Sequence, residues 1–287
     1  MNEFQIRPLT LLEMAVPLGW AQQEGWNPGL QDKGPFWQTD PAGFIGGFLD
    51  GRLIATVAAV RYEPTFGFLG FYIVEPEYRG HGYGIQVWNA GLAHLEGLPS
   101  MGLDGVLEQQ DNYRKSGFVY AHRNARYEGY PQREGLTITL DSGERLLPSS
   151  EVSFEALGSF DTQHFPASRT RFLSAWIKQA GHRSRVILRG HHVCAYGVIR
   201  PCALGYKIGP LFAQTASQAR NLILALCQNL SHDAPIYIDP PTQNLAAIEL
   251  AQEFGMSMVF ETARMYKGSG PDLPLNEIYG ITSFELG

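Results

Sequence analysis

Little of this chain is charged and little of it is cysteine. Asp, Glu, Lys and Arg make up 17% of the residues, 22 basic against 28 acidic for a net charge of −6, and no run of like charge exceeds a few residues. That excludes the basic face on which nucleic-acid recognition depends. A weak acidic excess is compatible with a cationic acceptor without implying one. The only cysteines are Cys194, Cys202 and Cys227. They form no C-x-x-C pair, and an odd number argues against a disulfide framework, so they read as buried thiols. Long apolar runs are missing too, since nothing approaches the roughly 18 residues of a membrane-crossing helix. Met1 to Thr10 carries Glu3 and Arg7 without the apolar segment of a signal peptide. A cytoplasmic protein with no membrane partner is the expectation. His191 and His192 are adjacent in a predicted strand and so point to opposite faces, while His81, His94 and His122 lack ligand spacing, so no metal is expected.

What is present is a 44% apolar share arranged in short strand-like and longer helical patterns, enough for a well-buried core. At roughly 150 residues per domain the length suggests two domains. Phe44 to Leu49 and Leu53 to Tyr62 read as strands joined at Asp50-Gly51, a hairpin signal. Phe66 to Val74 is the next strand, and Ile85 to Glu96 carries Val87, Trp88, Leu92 and Leu95 at helical spacing before Gly97 and Pro99. Leu103 to Leu107 follows as a strand, Asn112 to Ser116 as a short helix closed by Gly117, and Phe118 to Tyr127 as a strand. Pro131 to Ser150 reads as a linker around a β-like run, Leu136 to Leu140. The pattern then recurs, with a helix over Phe172 to Ala180, strands over Ser184 to Arg189, Val193 to Ile199 and Tyr206 to Phe212, and a helix over Ser217 to Leu230. A strand at Ile236 to Ile238 and a helix at Leu245 to Phe254 complete it. The fold class is therefore α/β, of the α+β kind, with domains at 1–130 and 151–287 joined by 131–150.

The most informative stretch is Ile73 to Gly84, Ile-Val-Glu-Pro-Glu-Tyr-Arg-Gly-His-Gly-Tyr-Gly, where an apolar strand runs into a glycine-rich turn that opens a helix. Gly80, Gly82 and Gly84 let the backbone curl with its N–H groups inward, and the helix starting near Ile85 adds the positive end of its dipole. Arg79 adds a fixed charge. A Walker loop would need Gly-Lys-Ser/Thr where Gly84-Ile85-Gln86 stands, and the dinucleotide fingerprint would need Gly or Ala at Ile85. A glycine-rich surface turn would need neither the Arg nor three alternate glycines between a strand and a helix. R-G-x-G-x-G after V-x-P-x-Y resembles the pyrophosphate loop of the GNAT superfamily of acyl-CoA N-acyltransferases.

Downstream, Asn112-Tyr113-Arg114-Lys115-Ser116-Gly117-Phe118 resembles the family's Y-x-x-x-G-F element. The resemblance implies tandem GNAT folds, each a mixed, mostly antiparallel central sheet flanked by helices, of the two-domain kind sometimes called YitH-like. It implies acetyl-CoA as acyl donor, held by Ile73, Val74, Arg79, Gly80, His81, Gly82, Tyr83, Gly84, Ile85 and Asn112. It makes Tyr113 the general acid for the departing thiolate, a task suited to a phenol with pKa near 10. The Asn and Ala that usually precede that Tyr are absent from Val106 to Asp111, where Gln109, Gln110 or Asn112 are the available polar substitutes.

The acceptor side rests on the N-terminal third, which packs over the acceptor cleft in GNAT proteins. Trp26 and Trp37 offer apolar or cation–π walls, and Glu24, Asp32 and Asp40 offer negative charge, with Asn27 in the same turn-rich stretch. Turn capping and ordinary core tryptophans explain the same residues. An amine with a lysine-like pKa is free base in only roughly one molecule in a thousand at neutral pH, so something must take its proton. Asp104 is one candidate, and Glu24 or Asp40 acting through water are others; Asp104 equally reads as a structural cap. In the second half Asn244, Ala247 and Gly255 keep family spacing, but Ala251 stands where the tyrosine would be, and Phe212 to Ser217 lacks the glycine loop. That half reads as a degenerate partner. The tail from Glu277 to Gly287 is expected to pack as an ordered strand. The expected function is acetyl-CoA-dependent N-acetylation of a small amine or peptide acceptor, with a non-catalytic acyl-CoA sensor as the other class; a homodimer is allowed but not demanded.

Overall fold

The computed structural model describes residues 3–62, 64–130 and 136–287, so the first five residues of the expected linker lie outside the described residues. The first half runs β1 (Phe4–Pro8), α1 (Ala15–Gln23), α2 (Lys33–Thr39), β2 (Phe44–Leu49), β3 (Arg52–Tyr62), β4 (Phe66–Val74), α3 (Tyr83–His94), β5 (Ser100–Val106), α4 (Gln110–Lys115) and β6 (Val119–Gly129). The second runs β7 (Glu144–Pro148), α5 (Phe154–His164), α6 (Thr170–Lys178), β8 (Arg183–Arg189), β9 (His192–Pro201), β10 (Tyr206–Ala213), α7 (Ala216–Cys227), β11 (Ile236–Ile238), α8 (Leu245–Glu253), β12 (Ser257–Gly268) and β13 (Ile278–Gly280). The hairpin signal is realised: Asp50 and Gly51 both take positive φ, 48° and 82°, the pair of angles that a tight two-residue turn between twisted strands requires.

All described strands join one sheet in the order β1-β2-β3-β4-β5-β12-β6-β11-β10-β9-β8-β7, with β13 added to β10. Only β4–β5 and β10–β11 are parallel, so the sheet is mixed and mostly antiparallel. The two halves exchange strands at its centre. β12, late in the chain, lies between β5 and β6 and pairs with both, while β6 also pairs with β11. Alternate residues of β3 feed separate cores, Ala58 and Val60 one, Ala55, Val57 and Ala59 the other, as a two-sided strand must. The first core is shared between halves: Phe36 of α2 stacks on Trp176 of α6 with centroids 5.8 Å apart and planes 7° apart. Burying each such ring contributes roughly 1.5–3 kcal/mol.

Two expectations need correction, the first being the tail, which is a strand only over Ile278–Gly280 and continues to Gly287 without strand structure. Leu136 to Leu140 forms no strand, although it alternates like one; Thr139 instead exchanges two backbone hydrogen bonds with the Asn221 side chain of α7. The strand in this region is β7, four residues further on, paired with β8. Sequence patterning also passed over β1, α1, α2, α5 and β12. α2 carries Gly34 and Pro35 in its first turn, which read as a turn, and the bulged pairing of β12 with β6 breaks its alternation.

Candidate active site

β4 and β5 stay paired only from Phe66 and Ser100 to Leu69 and Leu103. Beyond that point β4 bulges against β3, between the pairs Thr56–Ile73 and Ala58–Gly70, and Phe71 adopts a φ of 45°. A bulge bends its strand away from its neighbour. The strands part, and a cavity of about 580 Å³ opens between them.

At one end of the cavity is the glycine turn. Gly80 and Gly82 take φ of 81° and 80°, angles that a side chain rarely tolerates, and α3 begins at the next residue with no side chain capping it. Its first N–H groups are therefore free to meet an anion at the positive end of the helix dipole. Ile73, Val74, Arg79, Gly80, Gly82, Gly84 and Ile85 all line the cavity. Arg79 is held in place: its Nε donates to Val74 O at 2.8 Å and its guanidinium pairs with Glu24 at 2.7 Å. Glu24 thus sits on the loop's arginine. His81 turns back to the Arg79 carbonyl at 3.0 Å, and Tyr83 packs on Phe4 at 4.7 Å; neither lines the cavity. Asn112 is exposed and donates to Gln109, and it is Gln109 that reaches the cavity wall.

Tyr113 lines the cavity from α4, its ring against Trp88 at 5.5 Å. Gly105 on β5 makes room for it, since a Cβ there would lie 2.2 Å from the ring. No hydrogen bond engages its hydroxyl among the described residues. Burial pushes its pKa above the ordinary phenol range, and Tyr72 adds to the rise. The phenol accordingly stays protonated through the neutral range, ready to donate.

Asp104 also lines the cavity, but its carboxylate is fully buried and tied up. Arg264 of β12 grips it at 2.8 and 2.6 Å, and Asn124 donates at 2.8 Å. A bidentate pair of this kind is a structural joint between halves rather than a free base. Of the acceptor candidates only Glu24 and Trp26 reach the cavity. Asn27 is buried and exchanges hydrogen bonds with Leu204; Trp37 donates to Leu9 O; Asp40 accepts from Arg61 N at 3.0 Å and is 2.8 Å from His94. These three, and Asp32 in its ion pair with Arg200, fasten the N-terminal segment and lie away from the cavity.

The far wall is supplied by β12 and the tail of the second half, which carry no recognisable functional motif. Phe260 and Thr262 of β12 and Phe284 and Glu285 of the tail complete the cavity. Glu285 is 2% exposed, and neither of its carboxylate oxygens has a hydrogen-bond partner among the described residues; the Thr262 hydroxyl is likewise unpartnered. The signal, a lone Glu between Phe284 and Leu286 at an apolar end, gives no direction without the fold.

The second half offers a contrast. Its α7, equivalent in order to α3, is closed by a capping box in which Thr215 and Gln218 satisfy each other's backbone N–H groups. The edge of β10 beyond its parallel pairing is filled by β13, where β4 has the cavity. No cluster of three metal-ligating side chains occurs among the described residues.

Known proteins resemble both halves. The model of the Acetyltransferase (GNAT) family matches residues 12–119, and that of an Acetyltransferase (GNAT) domain matches residues 158–280. Over 281 residues the chain is 30% identical to holothin acyltransferase of Pseudoalteromonas sp. (strain SANK 73390), covering 98% of this chain and 94% of that protein. Among solved structures, a putative acetyltransferase from Pyrococcus horikoshii superposes with a TM-score of 0.81 at 22% identity, covering 99% and 96% of the two chains. A tandem GNAT protein from the clavulanic acid biosynthesis pathway gives 0.62 at 12% identity, covering 94% and 100%.

Proposed function

Because the chain belongs to the GNAT acyltransferase family, we propose that it transfers an acetyl group from acetyl-CoA to a primary amine, at one site carried by a domain spanning 1–130 and completed by β12 and the tail. The observation that carries this is the meeting of two features in one cavity: an uncapped, glycine-turned helix N-terminus and a protonated, unengaged Tyr113. The backbone N–H groups of Gly80 to Ile85, with Arg79, would hold the donor's pyrophosphate. Ile73 and Val74 would flank its pantetheine arm, and Gln109 stands where the usual polar contact is missing. Tyr113 would give its proton to the sulfur as the C–S bond breaks. In a domain spanning 151–287, the capped helix and the cleft filled by β13 support the reading that this half holds no second acyl-CoA site.

Tyr113→Phe tests this. We expect acetyl-CoA affinity by calorimetry to stay within a few-fold, at one molecule per chain, while turnover falls by about 10² to 10⁴, the usual contribution of a positioned proton donor. Unchanged turnover would remove the role of Tyr113. Normal binding with no acetylation of any amine in a broad panel would favour an acyl-CoA sensor instead.

A further inference from the structure

Three acidic residues line the cavity, and two of them are already matched. Glu24 is paired with Arg79, and Asp104 with Arg264 and Asn124. Of these three, only Glu285 presents two buried oxygens with no hydrogen-bond partner among the described residues. Leaving a buried carboxylate unpaired is costly, so such a group is retained where a ligand supplies the donors. The backbone has been shaped to admit it: a Cβ on Gly70, in the β4 bulge, would lie 2.1 Å from the Glu285 carbonyl oxygen, so only glycine lets the tail lie against the open edge of β4.

Within electrostatic reach of Glu285 are two buried basic groups, Arg126 of β6 and Lys207 of β10: burial lowers the Lys207 pKa below its ordinary value against a smaller opposing influence of Glu285, and Asp239 raises that of Arg126 against burial. Arg126 is neutralised by Asp239 at 2.8 Å and lies over the Phe284 ring at 4.8 Å. Lys207 donates to the Asn27 carbonyl at 2.9 Å, and Arg126 to the Trp26 carbonyl at 2.7 Å. The Arg126 hydrogen bond fixes the Trp26 backbone at the cavity. Aromatic residues share the cavity lining with Glu285, among them Trp26, Phe71, Phe260 and Phe284.

We infer that Glu285 binds the acceptor's amine and removes its proton, and that the acceptor is a small monoamine carried on an apolar, ring-sized body. One unmatched carboxylate among aromatic walls fits one ammonium; a second ammonium on a polyamine would enter a buried apolar wall with no counter-charge. This rests on the acetyltransferase reading above. The entering ammonium gives one proton to Glu285. Its nitrogen then forms the C–N bond to the acetyl carbon while the C–S bond breaks, and Tyr113 protonates the leaving sulfur. The second proton shed by the nitrogen restores Tyr113, and the proton on Glu285 returns to water. The tail of the second half thereby completes the catalytic site of the first.

The test uses the full chain and the variants Glu285→Gln and Glu285→Asp, with acetyl-CoA as donor and phenethylamine, benzylamine and spermidine as acceptor probes. Acetyl-CoA affinity should be the same in all three proteins within about threefold, because the donor reading puts the pyrophosphate on Arg79 and the Gly80 to Ile85 turn and not on Glu285, and melting temperatures should confirm that each is folded. Thiol release by the unsubstituted protein should favour an arylalkyl monoamine over spermidine by at least about tenfold in kcat/KM. Glu285→Gln should lower that kcat/KM by about 10² or more. Its rate should then climb with pH as the free-amine fraction does, and Glu285→Asp should recover part of the loss. Equal kcat/KM for Glu285→Gln and the unsubstituted protein, a preference for spermidine, or acetyl-CoA binding without acetylation of either monoamine would each overturn the inference. No acetyl-CoA binding at all would instead overturn the donor reading beneath it.

Discussion

In the proposed reaction Tyr113 can act only if its ring is held where the thioester sulfur would be, and the residue that makes room for that ring is Gly105 on β5. Gly105→Ala would place a methyl group 2.2 Å from the Tyr113 ring, so the ring must swing away or β5 must shift. Overpacking of this kind costs about 1–3 kcal/mol. We expect acetyl-CoA to bind nearly as before while kcat falls by about tenfold or more, since a misplaced donor loses most of its value; unchanged kcat would mean that Tyr113 is not held by that contact. Tyr113 and the cavity-lining members of the glycine turn were legible in the sequence because local chemistry marks them: glycine where φ is positive, a tyrosine one short helix before Gly117-Phe118. Glu285, Thr262 and Phe260 were not. Their placement depends on pairings across more than a hundred residues, and nothing in their immediate neighbours records it. Asp40 and Trp37 show the reverse error, since polar and aromatic residues near turns serve the N-terminal segment's own hydrogen bonds here.

At the level of elements, the two halves differ in how one helix begins. α3 starts after Gly82 without a side-chain cap, and α7 starts after Thr215 with a full capping box. A helix that must bind an anion leaves its N–H groups open, and one that need not satisfies them itself. Gly82→Ala should therefore weaken acetyl-CoA binding and destabilise the fold by about 1–2 kcal/mol, the cost of a left-handed residue with a side chain. Thr215→Ala should remove about 1 kcal/mol of stability and leave acetyl-CoA affinity as it was. Calorimetry and urea unfolding on the same two variants separate these outcomes, and a loss of acetyl-CoA affinity in Thr215→Ala would show that the second half also takes part in binding the donor. The order of strands and helices in each half could be read from apolar periodicity, and the hairpin at Asp50-Gly51 from its turn chemistry. The exchange of β6 and β12 could not, because an antiparallel strand reads the same whichever neighbour it pairs with.

The exchanged strands make stability a property of the whole molecule. β12 cannot leave without exposing edges of β5 and β6 and breaking the buried Arg264–Asp104 pair, so the described sheet should unfold as one unit. Buried histidines on both sides of the exchange tie that unit to pH. Burial, reinforced by Arg264, holds the His122 imidazole at about 3, and burial with Arg200 holds His182 at about 4, both below the ordinary value of 6.5. In the unfolded chain both take up a proton as pH falls through about 6.5; in the folded protein neither does until well below 5. Protons therefore favour the unfolded state across this window, and stability falls with decreasing pH by up to about 1.4 kcal/mol per unit for each histidine. Between pH 7.5 and pH 5 the two together should remove on the order of 4 kcal/mol. Urea unfolding followed by tryptophan fluorescence and by circular dichroism should give coincident curves at each pH, with the midpoint clearly lower at pH 5. In His182→Gln the pH-dependent part should shrink by about half, because one of the two proton sites is gone. Equal midpoints at the two pH values would mean that the imidazoles are not buried as described, and separate transitions by the two probes would mean that the halves do not unfold together.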